Sequence, residues 1–204
     1  MSSTNRSNAR DSHKPDYYIT PQKPILDVLS YLIGDNKGMN ELCDFYDEET
    51  EEIKPLEWLD PCAGGDINNE MSYPKALKKY GITPTTFDIR EDSKAEFKLD
   101  YLNTEIYDGK FDVIITNPPF NIATKIIEKA FEDVKDGGFI VMLLRLNFFG
   151  SKDRKKFWEN NMPIVTFVHH KRISFTNGST DSIEYMHCVW QKGVKQDYTK
   201  LVII

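Results

Sequence analysis

Asn117-Pro118-Pro119-Phe120 directly follows the apolar run Phe111-Asp112-Val113-Ile114-Ile115-Thr116. Two successive prolines fix φ and remove two backbone donors, which leaves carbonyl oxygens free to face a ligand. The amide oxygen of Asn117 and the carbonyl of Pro118 then form a pair of acceptors in fixed geometry. Such a pair suits an amino group on an aromatic ring. The lone pair of that nitrogen is delocalised, so it is a poor nucleophile, and both its hydrogens need acceptors. Gripping both hydrogens favours a pyramidal nitrogen whose lone pair points at an incoming methyl carbon, so the rate gain comes from orientation and preorganised dipoles. Phe120 offers a flat apolar surface for a base, a contact worth roughly 1–3 kcal/mol. A plain strand-to-helix turn closed by a core phenylalanine is the competing reading, but Asn-Pro-Pro is an unusual way to build one.

A second cluster follows the short apolar segment Leu56–Leu59, namely Asp60-Pro61-Cys62-Ala63-Gly64-Gly65-Asp66. Gly64 and Gly65 permit positive φ and close backbone approach, so a ligand can lie across the strand end. A tight turn needs glycine for structural reasons about as often. The third glycine of a dinucleotide fingerprint and the Gly-Lys-Ser/Thr of a P-loop are both missing. Asp88 and Asp100 each close a candidate strand, where a carboxylate can accept the hydroxyls of a ribose or cap a helix.

These residues need elements to hold them. Ile25, Val28, Leu29 and Leu32 predict a helix over Pro24–Ile33, and Tyr73–Tyr80 reads as a helix closed by Gly81. The acidic stretch Asp44–Glu52 reads as a loop or partly helical insertion. Thr83–Phe87, Phe111–Thr116 and Phe139–Leu146 read as strands. Ile122–Val134 reads as an amphipathic helix terminated by Gly137-Gly138. Ile164–Val168 and Tyr185–Trp190 form a late hairpin through a connection containing Asn177-Gly178. Strand and helix alternate through most of the chain, which predicts an open, doubly wound, mostly parallel α/β sheet with a late antiparallel hairpin at its edge. Ligands of such sheets bind beyond the carboxyl ends of the strands, where the residues above fall.

The 204 residues, 40% hydrophobic and 12% aromatic, suffice for one core. We expect a tail over residues 1–14, which has no large apolar side chain beyond Met1, and a single domain over 15–204. No run approaches about 18 apolar residues, so no membrane span is expected, and no signal peptide is recognisable. Three separated cysteines indicate neither a disulfide framework nor a metal site, and a cytoplasmic protein is expected. His169 and His170, adjacent on a strand, would face opposite sides and cannot share one metal, so none is expected. The net charge of −6 argues against coating nucleic acid over the whole surface. Positive charge gathers instead at Lys152, Arg154, Lys155 and Lys156 and at His169–Arg172, either as solvated faces or as a phosphate-contacting rim.

With these motifs the chain, from about Asp16 to Trp190, resembles the DNA adenine-amino methyltransferases of small bacterial and phage type. The resemblance rests on Asn117-Pro118-Pro119-Phe120, on Asp60-Pro61 with Gly64, and on Tyr17-Tyr18-Ile19-Thr20-Pro21. It implies a seven-stranded Rossmann-like methyltransferase sheet, S-adenosylmethionine as cofactor with S-adenosylhomocysteine as product, and methylation of the N6 amino group of adenine in DNA. Asn117, Pro118, Pro119 and Phe120 would be catalytic. The cofactor would lie on Tyr18, Thr20, Pro21, Asp60, Pro61, Cys62, Ala63, Gly64, Gly65, Asp88, Ile89, Asp100, Tyr101 and Asn117. The DNA would be met by Phe120, Lys152, Arg154, Arg172 and Phe175, the last as a second stacking ring. The family's final turn glycine is Asp66 here, which leaves the backbone path beside the cofactor open.

The family often carries a target-recognition domain, which we expect here to be missing or reduced to loops. Weak sequence selectivity, a specificity partner or a homodimer is the corollary, in the cytoplasm of a bacterium or phage-infected host. A stacked and paired adenine must also be flipped out or be single-stranded already, at a cost of a few kcal/mol. An RNA adenine, a protein glutamine amide, and a binding protein that keeps the fold without transfer are the alternatives.

Overall fold

The computed structural model describes residues 18–33, 44–47, 52–105, 109–175 and 183–204. The expected tail, Tyr17 and the Asn177-Gly178 turn lie outside them. Helix α1 (Gln22–Leu32) forms where apolar residues recur at helical spacing, and it buries Ile25, Val28, Leu29 and Leu32. The acidic stretch departs from expectation. Asp44–Asp47 (β1) and Glu52–Pro55 (β2) pair antiparallel from Asp44↔Pro55 to Asp47↔Glu52, as a two-stranded sheet of their own. Phe45, Tyr46 and Ile53 favour extended backbone, and the ladder satisfies the amides that a loop would leave to water.

The main sheet contains β3 (Trp58–Asp60), β4 (Thr85–Asp88), β5 (Phe97–Lys98), β6 (Phe111–Thr116), β7 (Val134–Arg145), β8 (Val165–Val168), β9 (Tyr185–Gln191) and β10 (Lys200–Ile203). Their spatial order is β10-β8-β9-β7-β6-β3-β4-β5. Strands β5, β4, β3, β6 and β7 are mutually parallel, whereas β9 runs antiparallel to both β7 and β8. The late hairpin is thus present, but β9 inserts between β7 and β8. An eighth strand, β10, closes that edge by pairing in parallel with β8.

Strand order reverses between β3 and β6, so their carboxyl ends splay apart into a crevice. Side chains alternate across the continuous apolar runs of the central strands. Val113, Ile115 and Val141 pack under α1 and α2 (Ser72–Leu77), while Ile114, Ile140 and Met142 pack under α3 (Ala123–Asp133) and α4 (Lys155–Asn160). No helix among the described residues is long and apolar enough to cross a membrane.

Helix α3 stops at Asp133, four residues before the glycine pair expected to end it. Val134 is already extended (φ −78°, ψ 145°) and pairs with Phe111, while Gly137 and Gly138 sit inside β7 beside a register irregularity. Gly138 is fixed by space. A Cβ there would lie 2.7 Å from the Asp112 carbonyl oxygen and 2.9 Å from that of Lys135, and backbone cannot step aside. Gly138→Ala is therefore expected to destabilise the fold by about 1–3 kcal/mol in chemical denaturation. Unchanged stability would show that the bulge yields.

Candidate functional site

Three strand ends build the crevice. Beyond β3, Gly64 (φ 67°) and Gly65 (φ 75°) adopt left-handed backbone that lets the turn fold back. Its path is pinned by Ala63 N–H to the Phe87 carbonyl (2.9 Å) and Lys94 N–H to the Gly64 carbonyl (3.1 Å). A Cβ on Gly65 would meet Met71 Cγ at 2.9 Å, so this position has no room for a side chain either. Asp66 accepts from the amides of Asn68 (2.8 Å) and Asn69 (2.9 Å), which winds residues 66–69 into a closed turn. These hydrogen bonds, that of the Asn69 side chain foremost, hold its carboxyl below the usual range. Asp66 thus caps its own turn.

At the end of β4 both oxygens of Asp88 are engaged by backbone. Gly64 N–H donates to Oδ2 and Arg90 N–H to Oδ1, each at 2.8 Å. This couples the glycine turn to β4 and aims the Asp88 carboxylate into the cleft. Asp100 caps the short 3-10 turn Tyr101–Asn103 through the Leu102 amide (3.1 Å). The cleft has about 820 Å3 of open space. Its walls include Tyr18, Thr20, Pro61–Gly64, Asp88, Ile89, Asp100, Tyr101 and Asn117–Pro119, together with Ser72, Tyr73, Arg90, Leu99, Ile122 and Ile126. The last six escaped sequence reasoning. Arg90 follows a strand end and could have been suspected, whereas Tyr73, Ile122 and Ile126 look in sequence like ordinary helix-core residues. Pro21, Asp60 and Gly65 adjoin the wall without lining it.

Asn117 carries the distinctive geometry. Its Nδ2 donates to Thr20 Oγ1 at 3.0 Å across 97 positions of sequence, and its buried Oδ1 has no partner among the described residues. A buried carbonyl oxygen without a donor forgoes roughly 1–3 kcal/mol, and the residue that carries it is part of the cleft wall.

Asp60, fully buried under the turn, accepts from Thr116 Oγ1 (2.6 Å) and Cys62 N–H (3.2 Å) through Oδ1, while Oδ2 has no partner among the described residues. Burial with no cation to offset it pushes its carboxyl up to about 7. Tyr73, whose hydroxyl is 2.9 Å from His187 Nε2, begins a second buried chain that continues from His187 Nδ1 to His169 Nε2 at 2.7 Å. Burial keeps both imidazoles neutral, His169 down at about 4. His169 is buried and His170 exposed, so the two face apart as expected, and no cluster of metal-ligating side chains occurs among the described residues.

The two expected stacking rings come together with two others. Phe120 lies 6.4 Å from Tyr18 and 5.7 Å from Tyr185, and Phe175 lies 5.7 Å and 4.9 Å from the same rings. The three expected cations do not join them. Arg154 donates Nε to the Phe148 carbonyl (2.8 Å) with its guanidinium over the Phe148 ring. Arg172 pairs with Glu184 at 3.0 Å, and Lys152 borders a separate hollow with Trp158.

A parallel α/β sheet with its crevice at the β3/β6 reversal and β9 inserted antiparallel beside β7 has the Rossmann-like methyltransferase fold. Solved structures agree. A methyltransferase subunit of a type I restriction-modification system from Streptococcus thermophilus superposes with a TM-score of 0.63 at 12% identity, over 91% of this chain and 47% of that one. A protein from Listeria monocytogenes, provisionally described as a class I S-adenosylmethionine-dependent methyltransferase, gives 0.58 at 15% identity over 97% and 68%. One from Pyrococcus horikoshii, provisionally described as an RNA methyltransferase, gives 0.53 at 16% identity over 92% and 94%. No protein-family model and no curated protein matches the sequence.

Proposed function

We propose that this chain, with residues 15–204 as one cytoplasmic catalytic domain, transfers a methyl group from S-adenosylmethionine to the N6 amino group of adenine in DNA. The observation that carries the reading is Asn117, which lines the cleft next to Pro118 and is bonded by Thr20, with an Oδ1 that has no hydrogen-bond partner among the described residues. The cleft fits a nucleoside-bearing cofactor, because carboxylates and apolar walls alternate where a ribose and an adenine would need them. Asp88 accepts the ribose hydroxyls, while Ile89, Asp100 and Tyr101 border the adenine. The Pro61–Gly65 turn, with Tyr18, Thr20 and Pro21 opposite, encloses the methionine end. Asp60 works from beneath the turn, through Thr116 and the Cys62 amide. S-adenosylmethionine, when bound, supplies an electrophilic methyl carbon on a positively charged sulfur.

Asn117 Oδ1 and the Pro118 carbonyl accept the two amine hydrogens and fix the nitrogen lone pair toward that carbon. Neither carbonyl is basic enough to keep a proton, so the one displaced leaves to water. Phe120 and Phe175 sandwich the flipped base once their cluster opens to admit it. Exposed Lys152 and Arg172 are candidates for backbone phosphates. Arg154 already spends its Nε and its flat face on Phe148, and it supports the turn that carries Lys152. The Streptococcus neighbour favours DNA as substrate, with a specificity subunit or a second copy as partner.

Labelled methyl transfer to DNA, RNA and total cell protein, measured side by side, tests the reading. Label in DNA, released on hydrolysis as N6-methyladenine, is expected. Label in RNA alone or protein alone would reassign the substrate, and none in any would leave a binding protein.

A further inference from the structure

Arg145 ends β7 at the carboxyl edge of the sheet, opposite Tyr185 in register. Its guanidinium carbon lies 4.6 Å from the centre of the Phe120 ring, on the ring of the catalytic loop. The other arginines among the described residues all have hydrogen-bonded partners. Arg90 bonds Asp92 and the Gly65 carbonyl, Arg154 the Phe148 carbonyl, and Arg172 Glu184. Arg145 has neither a carboxylate nor an acceptor among the described residues, and its Nε is shut off from solvent with nothing to donate to.

A half-buried guanidinium whose Nε has no acceptor among the described residues is costly unless a ligand completes it. Its planar fork of donors matches the oxygens of a phosphate. The cofactor's carboxylate is the wrong anion for this place. The cleft wall is made by β3, β4 and the 117–119 turn, and Arg145 is absent from it, on the strand beyond β6.

We propose that Arg145 binds the phosphodiester adjoining the target adenosine, its donors on the phosphate oxygens while its flat face keeps Phe120 in the stacking position. This rests on the nucleic-acid reading above. It places the substrate backbone across the end of β7 and makes Arg145 a positioning residue that selects a nucleotide chain over a free base or a protein amide.

The test uses the full chain and a short single-stranded oligodeoxynucleotide with one adenine, its binding followed by fluorescence anisotropy over a salt series. One form of the oligonucleotide carries uncharged methylphosphonates on the two linkages flanking the adenine. For Arg145→Met we expect about tenfold weaker binding to the charged form, and a slope of log affinity against log salt flatter by about 0.7, the loss of one single-strand phosphate contact. The methylphosphonates should weaken the wild type similarly and add little to the variant, because both remove the same contact. Arg145→Lys should keep the slope. S-adenosylmethionine binding should be unchanged in both variants, and should Arg145→Met fail to fold, Arg145→Gln takes its place.

An unchanged slope, additive effects of variant and methylphosphonate, or a wild type that binds no oligonucleotide would each overturn the proposal. The two readings separate cleanly. Arg145-dependent binding without methyl transfer to DNA refutes the proposed reaction and keeps this contact, whereas transfer with a slope indifferent to Arg145 does the reverse.

Discussion

Asn117→Ala is expected to lower the methyl-transfer rate by about 10²- to 10³-fold, the usual cost of deleting one preorganised hydrogen-bonding group at a reacting centre. S-adenosylmethionine binding should survive, because Asn117 contributes one group to a wall supplied mostly by the β3 and β4 turns. Asn117→Asp separates the two functions of the side chain. It keeps an acceptor at Oδ1 but loses the Nδ2 donor to Thr20, a bond the threonine hydroxyl can restore by donating instead. The Asp variant should therefore recover much of what Ala loses. Single-turnover rates with calorimetric cofactor affinities make the measurement. If rate and affinity fall together in Asn117→Ala, the residue shapes the cleft and does not act on the amine.

The second large effect concerns stability. Asp60 has a carboxyl of about 7 in the fold, against 3.8 for an unperturbed side chain. Between pH 4 and 7 the native state holds a proton that the unfolded chain has released, so the Asp60 contribution falls as pH rises through that window. Above pH 7 the loss is complete, on the order of 4 kcal/mol relative to pH 4. Asp60→Asn carries no such dependence, and its amide oxygen can still accept from Thr116 and Cys62.

The variant should therefore gain on the wild type from pH 5 to 7 in urea unfolding and hold that gain above it. The comparison has to be a difference. His169 and His187, neutral in the fold and depressed by burial, act oppositely and cost stability as pH falls below about 6.5, but they are common to both proteins. Parallel stability curves would mean that Asp60 does not titrate in this range. Oδ1 accepts from the Thr116 hydroxyl immediately before Asn117, so the charge state of Asp60 is felt one residue from the Asn117–Phe120 turn.

How much of this was legible in sequence depended on whether the cause was local. Strand β6 was readable to the residue because an apolar run ended by Asn-Pro-Pro cannot continue in either direction. The end of α3 was misplaced because Gly137-Gly138 is a local stop signal, and the helix was stopped earlier by pairing of Val134 with Phe111. The hairpin β1–β2 was hidden by acidic composition that suggests exposure more than it suggests extended backbone. Strand β10 gave no strong signal, since Lys200–Ile203 is short and becomes a strand only because β8 offers it an edge.

The same division runs through the site. Sequence alone placed the Asn117-Pro118 turn at the end of β6, the glycine turn after β3 and Asp88 at the end of β4, because each depends on φ restriction or donor count within a few residues. Tertiary structure alone decided that Thr20 bonds the Asn117 amide, that Asp60 is desolvated, that His187 links Tyr73 to His169, and that Arg145 lies on Phe120 with no carboxylate beside it among the described residues. These depend on desolvation and on contacts between distant segments, and neither has a counterpart in residue order until the sheet brings the strand ends together.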